Sequence, residues 1–238
     1  MPIDTPPPDR ASLPARCPEA VEQPPLGQQV YLALRARLID GRLHPGEKLS
    51  DLRLSAELRV SRTPVREALY RLAQEGVVQV NRRRGFAVAR MTRRDVRELY
   101  EIRLGLEVLA VRLGGPQLGK VALAQAQAAH DAMAVLMLAG VEGAAAFDLA
   151  DWQLHHSLFV AARNRRLLSL REGLQTQLDV LRAYGLRPEP LILVSIEHHA
   201  AILAALAAGD WLAAERAMAH HIAEMQAPAL ALFDEHDS

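Results

Sequence analysis

The stretch VSRTPVREALYRLAQEG, residues 60–76, narrows the possible folds more than any other part of the chain. Val65, Ala68, Leu69 and Leu72 recur at helical spacing and give a short helix one apolar face. Arg62, Arg66 and Arg71 fall off that stripe, so they are expected to point outward together. Ser61 stands where an N-cap belongs. Pro64 falls at about the third helical position, where a missing N–H does little harm because early helical N–H groups lack intrahelical partners. A second short helix precedes it: it begins near Ser50, runs through LSAELR and is joined by a turn at Val60 and Ser61. Further upstream, QQVYLALRARLID has a helical stripe of Val30, Tyr31, Leu34, Leu38 and Ile39, broken by GRLHPG. Downstream of Gly76, VVQV and FAVAR read as two strands around the basic turn NRRRG, a two-stranded wing. Gly85 permits a positive-φ backbone at its tip.

Charge separates this module from the rest. The chain has 28 Lys and Arg against 28 Asp and Glu. Between Gln28 and Arg94 there are 15 basic residues against six acids, whereas from Asp95 to Ser238 there are 11 against 18. A basic module of about +9 joined to an acidic one of about −7 indicates a polyanion reader attached to something else. A helix-turn-helix with arginine near the start of its second helix and a basic hairpin beyond fits duplex DNA, whose major groove admits one helix. In the wing, Arg82, Arg83 and Arg84 can reach phosphates or the minor groove.

From Thr92 onward the pattern is helical throughout. Six helices are expected, at about 93–113, 117–139, 142–162, 164–184, 190–208 and 210–233, punctuated by Gly114-Gly115-Pro116, Gly140, Arg163-Asn164, Arg187-Pro188 and Gly209-Asp210. They are apolar over wide arcs and should form one bundle. Three histidine doublets lie in them. In DWQLHHSLF, Asp151 and His155 share a face beside Leu154 and Leu158. In EHHAAILAAL, His199 aligns with Ile202, Leu203 and Leu206; in AMAHHIAEM, His221 aligns with Met218 and Met225. Periodicity thus turns Asp151, His155, His199 and His221 inward, a set suited to a borderline divalent ion such as Zn²⁺, Ni²⁺, Co²⁺ or Mn²⁺. Inward histidines that serve only as hydrogen-bonded core residues are the alternative.

The run SRTPVREALYRL, followed by EG, resembles the winged helix-turn-helix of the GntR family of bacterial transcriptional regulators. The resemblance implies that the third helix enters the major groove, with Arg62, Thr63 and Arg66 contacting DNA, Arg53 adding a contact from the second helix, and Gly85 approaching the minor groove. The helical segment resembles the FCD effector-binding domain of the FadR-type branch, and six helices rather than seven resemble the VanR-type subgroup. There the resemblance implies a metal, Zn²⁺ or Ni²⁺ foremost, on Asp151, His155, His199 and His221. It also implies Arg103 and Asn164 at an effector site and dimerisation through the helical domain. Arg163 takes a place often held by glycine.

The expected architecture is mainly α: an arm over 1–25, a winged helix-turn-helix over 26–91 and an all-α six-helix bundle over 92–238. The proline-rich start has no apolar signal region, and the lone Cys17 forms no internal disulfide. Helical runs interrupted by polar residues suggest no membrane span, and the cytoplasm is the expected compartment. The expected function is sequence-specific repression or activation by a homodimer on a palindromic operator, controlled by a small carboxylate effector on the metal. A metal sensor without organic effector is the nearest rival. A metal-dependent hydrolase is weaker, because the chain has neither HExxH nor G-x-S-x-G.

Overall fold

The computed structural model describes residues 24–81, 85–138, 143–183 and 189–233. The expected arm over 1–25 lies outside these but for its last two residues, as do Arg82, Arg83, Arg84, Gly140, Tyr184 and Arg187-Pro188.

The amino-terminal core is built by short elements. Helix α1 (Leu26–Ile39) buries Val30, Tyr31, Leu34 and Leu38, the expected stripe. Strand β1 (Lys48–Leu49) leads into α2 (Asp51–Leu58), where the Ser50 hydroxyl accepts from the Arg53 N–H at 3.3 Å. Arg59 closes α2 at φ +55°, a left-handed cap. Helix α3 (Arg62–Gln74) follows with Ser61 at its N-cap, although the Ser61 side chain makes no capping bond. Leu34, Leu54, Val65, Leu69 and Leu72, all fully buried, fuse the three helices. Strands β2 (Val78–Asn81) and β3 (Gly85–Val88) pair antiparallel from Val78↔Val88 to Asn81↔Gly85. These two strands are the expected wing, and a third extends their sheet in the order β1-β3-β2, because Lys48 and Leu49 pair with Ala87 and Phe86. Two residues are too short to show a strand period, so β1 had no sequence signal.

The rest is an α bundle. Helix α4 (Arg93–Gly114) starts in a capping box: the Thr92 hydroxyl accepts from the Asp95 N–H and the Asp95 carboxylate accepts from the Thr92 N–H. A 3₁₀ turn (Gly115–Gln117) leads to α5 (Lys120–Leu138), α6 (Gly143–Ala161), α7 (Arg165–Ala183), α8 (Glu189–Ala208) and α9 (Trp211–Ala231). Helix α4 packs on α9, α6 and α7, and α8 packs on α9 and α5. Gly114 is the closest approach: a Cβ there would stand 2.2 Å from the Leu158 carbonyl oxygen of α6. The stretch Leu191–Ala208 of α8 could cross a membrane by length and composition alone. It packs against α5 and α9, with Ile202, Leu203 and Leu206 buried.

Helix α7 touches both cores. Val180 belongs to the amino-terminal cluster, whereas Leu167, Leu178 and Leu181 belong to the bundle. Arg35 of α1 donates to Thr176 Oγ1 at 3.1 Å and pairs with Asp179.

Candidate metal centre and DNA-reading face

Three helices bring the inward residues together. Asp151 and His155 sit one turn apart on α6, His199 on α8 and His221 on α9; they are 3%, 0%, 1% and 1% exposed. One ligand atom from each lies within 4.8 Å of all the others. The Nε2 atoms of His199 and His221 are 3.3 Å apart, and Asp151 Oδ1 stands 3.4 Å from His199 Nε2 and 3.6 Å from His155 Nε2. Ligands 2.0–2.1 Å from a tetrahedral ion are separated by roughly 3.4 Å. The donor set, three imidazoles and a carboxylate, therefore fits a borderline divalent ion in chemistry and in spacing. His155 Nε2 is buried with no hydrogen-bond partner of its own, an orphan that such an ion would satisfy.

The surroundings keep these ligands in the required state. Burial pushes His199 down to about 3, and burial with its histidine neighbours takes His221 well below the usual range. Both are therefore neutral at physiological pH, with a lone pair free to ligate. Burial opposes ionisation of Asp151, but the Arg182 guanidinium beside it outweighs burial, and the carboxyl is held well below its ordinary value. Arg182 pairs with Asp151 Oδ2, leaving Oδ1 for the histidines. The Nδ1 of His155 donates to Glu107 Oε2 at 2.9 Å, which fixes the tautomer and aims Nε2 at the cluster.

Beside the cluster lies a cavity with about 50 Å³ of free space, lined by Tyr100, Arg103, Asp151, Arg182, Ser195 and His221 among others. Arg103 is buried there, and its Nε has no hydrogen-bond partner, standing 3.6 Å from Glu107. Asn164 is placed differently. Its side-chain oxygen accepts from the N–H groups of Arg166 and Leu167, at 3.2 and 3.1 Å, so it caps α7 and does not line the cavity. Arg163 before it is at φ +50°, which explains why glycine suits that position. Arg182 was missed because nothing in its own segment marks it. Arg171 is also buried, 6% exposed.

On the amino-terminal module, Arg62, Thr63 and Arg66 are exposed along the first turns of α3. Asp51 of α2 holds both arginines, Arg62 at 2.9 Å and Arg66 at 3.4 Å, so they share one face. Arg53 is exposed and paired with Glu47 and Glu57. Arg71 does not join this face: its guanidinium lies 3.7 Å from the Tyr31 ring centroid, against α1. Gly85, exposed at φ +80°, begins β3, and a Cβ there would meet nothing.

Two family models match the chain: "Bacterial regulatory proteins, gntR family" over residues 26–88 and "FCD domain" over residues 98–224. The chain is 32% identical over 198 residues to a probable D-xylose utilization operon transcriptional repressor of Paenarthrobacter nicotinovorans, covering 83% of this chain and 86% of that one. Its fold superposes on E. coli McbR/YncC with a TM-score of 0.71 at 26% identity, over 85% of this chain and 95% of that one. The Zn²⁺-bound FCD domain of TM0439 shares the fold of the helical part, with a TM-score of 0.51 and 21% identity over 60% of this chain and 96% of that one. With matched residues spanning both the winged helix-turn-helix and the bundle, the chain belongs to the GntR family of bacterial regulatory proteins, carries an FCD domain, and is a transcriptional regulator rather than an enzyme.

Proposed function

We propose that the chain is a cytoplasmic, homodimeric repressor of the VanR-like, FadR-type subgroup whose operator binding is set by a small organic acid held at a divalent metal. The carrying observation is the buried convergence of Asp151, His155, His199 and His221 beside a cavity that also exposes Arg103. The zinc-bound state of the TM0439 domain supports Zn²⁺, with Ni²⁺, Co²⁺ or Mn²⁺ compatible with the same donors. The six helices α4–α9 support the subgroup, and the repressor relative supports the sign of regulation. Residues 26–91 form the DNA-reading domain and 92–238 the sensing and dimerising domain.

When bound, the metal would supply positive charge and, by expanding beyond its four protein ligands, a coordination position for an effector carboxylate. Asp151, His155, His199 and His221 hold it, and Glu107 and Arg182 orient two of these ligands. Arg103, whose Nε is uncommitted, meets the far side of the carboxylate. Arg62, Thr63 and Arg66 read base edges, Arg53 and the wing residues Arg82, Arg83 and Arg84 grip the backbone, and Gly85 lets the wing tip approach the minor groove. Two such modules related by a two-fold axis read a palindrome.

The test is selection of operator fragments from a random duplex pool, followed by affinity measurements with and without metal and a panel of small carboxylates. Arg66→Ala should lower specific affinity by about 1–3 kcal/mol while leaving nonspecific affinity nearly intact. Release by an acid only in the metal-loaded protein supports the reading. Release by metal alone would make the chain a metal sensor and overturn the organic effector.

A further inference from the structure

The buried cluster uses one histidine of each doublet on α8 and α9, and the remaining histidines are not scattered. His198 and His220 face each other with ring centroids 4.8 Å apart, and His198 is 5.8 Å from His221 by the same measure. His221 in turn is 4.6 Å from His199 and 5.4 Å from His155. Exposure falls along this series: His220 is exposed, His198 half-buried, and His221 and His199 are 1% exposed. The third doublet does not take part, since His156 stacks on Trp152 at 4.3 Å.

Two imidazoles on one zinc-type ion, with metal–nitrogen bonds of 2.0–2.1 Å, stand with their centroids roughly 5 Å apart. The His198–His220 spacing suits that arrangement. The Nδ1 of His198 is buried and bonded to no protein group, and so is the Nδ1 of His221 on the next ring. Glu224, exposed, stands one helical turn after His220 on α9, and Glu197, also exposed, precedes His198 on α8. The outer end of the ladder therefore carries an exposed imidazole, His220, with carboxylates near it to attract a cation from solvent, and the buried Nδ1 of His198 lies behind it.

We infer that His198 and His220 form a second, outer site for a divalent transition-metal ion, which receives the ion from solvent and hands it to the buried four-residue site. The hand-over rests on the reading of that buried cluster as a metal centre. The outer pair itself does not. Its ligands are fewer and exposed on one side, so it binds weakly and exchanges fast. The inner site, with four buried donors, binds tightly.

Full-length protein stripped with a chelator and titrated with Co²⁺, whose visible absorption reports imidazole ligation, tests this. The wild type should show a tight and a weak equivalent. His220→Ala, a change at an exposed position, should keep the tight spectrum, lose the weak one and load the tight site on the order of tenfold more slowly. His155→Ala should lose the tight signal and keep the weak one. Circular dichroism of each variant confirms that the fold is kept. A weak equivalent that survives in His220→Ala, or loading as fast as in wild type, overturns the inference. Absence of any tight equivalent in the wild type contradicts the buried-site reading instead, and the hand-over falls with it.

Discussion

Two buried histidines held neutral make the helical domain sensitive to acid. Burial holds His199 at about 3 and His221 well below its ordinary value of 6.5, so the folded state refuses protons that the unfolded chain accepts. By linkage, stability is fully present above about 6.5 and is lost as the pH falls from there toward 3, by up to ~1.4 kcal/mol per pH unit for each histidine. Metal-free protein should therefore melt at a clearly lower temperature at pH 5.5 than at pH 7.5, and the difference should shrink in His199→Gln. A pH-independent Tm would contradict the buried neutral pair. The four inward residues were legible because a period of 3.6 residues selects one member of each doublet. The partners that orient them were not: Arg182 meets Asp151, and Glu107 meets His155, only because α7 and α4 cross α6 where they do. Asn164, just before Arg165, carried a local capping signal of its own, and its side chain does cap α7.

Within α4, two glycines make opposite demands on the same helix. Gly114 lies against the α6 backbone, where a Cβ would be 2.2 Å from the Leu158 oxygen, while Gly105 faces open space. Gly114→Ala should destabilise the bundle by about 1–3 kcal/mol through overpacking. Gly105→Ala should stabilise it by about 0.5–1 kcal/mol through helix propensity. Urea unfolding of both variants checks the pair, and equal effects would contradict the α4–α6 contact. Sequence marked Gly114-Gly115-Pro116 as a helix break, which is correct, but the break also serves packing that no local pattern encodes. Among the described residues, the breaks after α6 and α8 were readable from Asn164 and from Gly209-Asp210. The extra strand β1 was not, because its two residues owe their conformation to β3 rather than to themselves.

Across the whole molecule, α7 joins the centre to the DNA reader through a run of charged contacts. Asp151 pairs with Arg182, Arg182 lies 3.8 Å from Asp179, and Asp179 pairs with Arg35 of α1. A change in how Asp151 is held can therefore bias the seating of the winged domain, provided both arrangements are populated. Arg35→Ala should leave metal binding unchanged while abolishing most of the coupling between effector and operator, of the order of 1–3 kcal/mol. A double-mutant cycle with Asp179→Ala measures it, and undiminished coupling would show that the signal takes another path. The most direct measurement is elemental analysis of protein purified without chelator or a metal-affinity tag, beside His199→Ala and His221→Ala. The account predicts about one transition-metal ion per chain in the wild type and none in either variant. Wild-type protein that binds DNA but holds no metal, and cannot be reloaded, would contradict the metal-anchored mechanism.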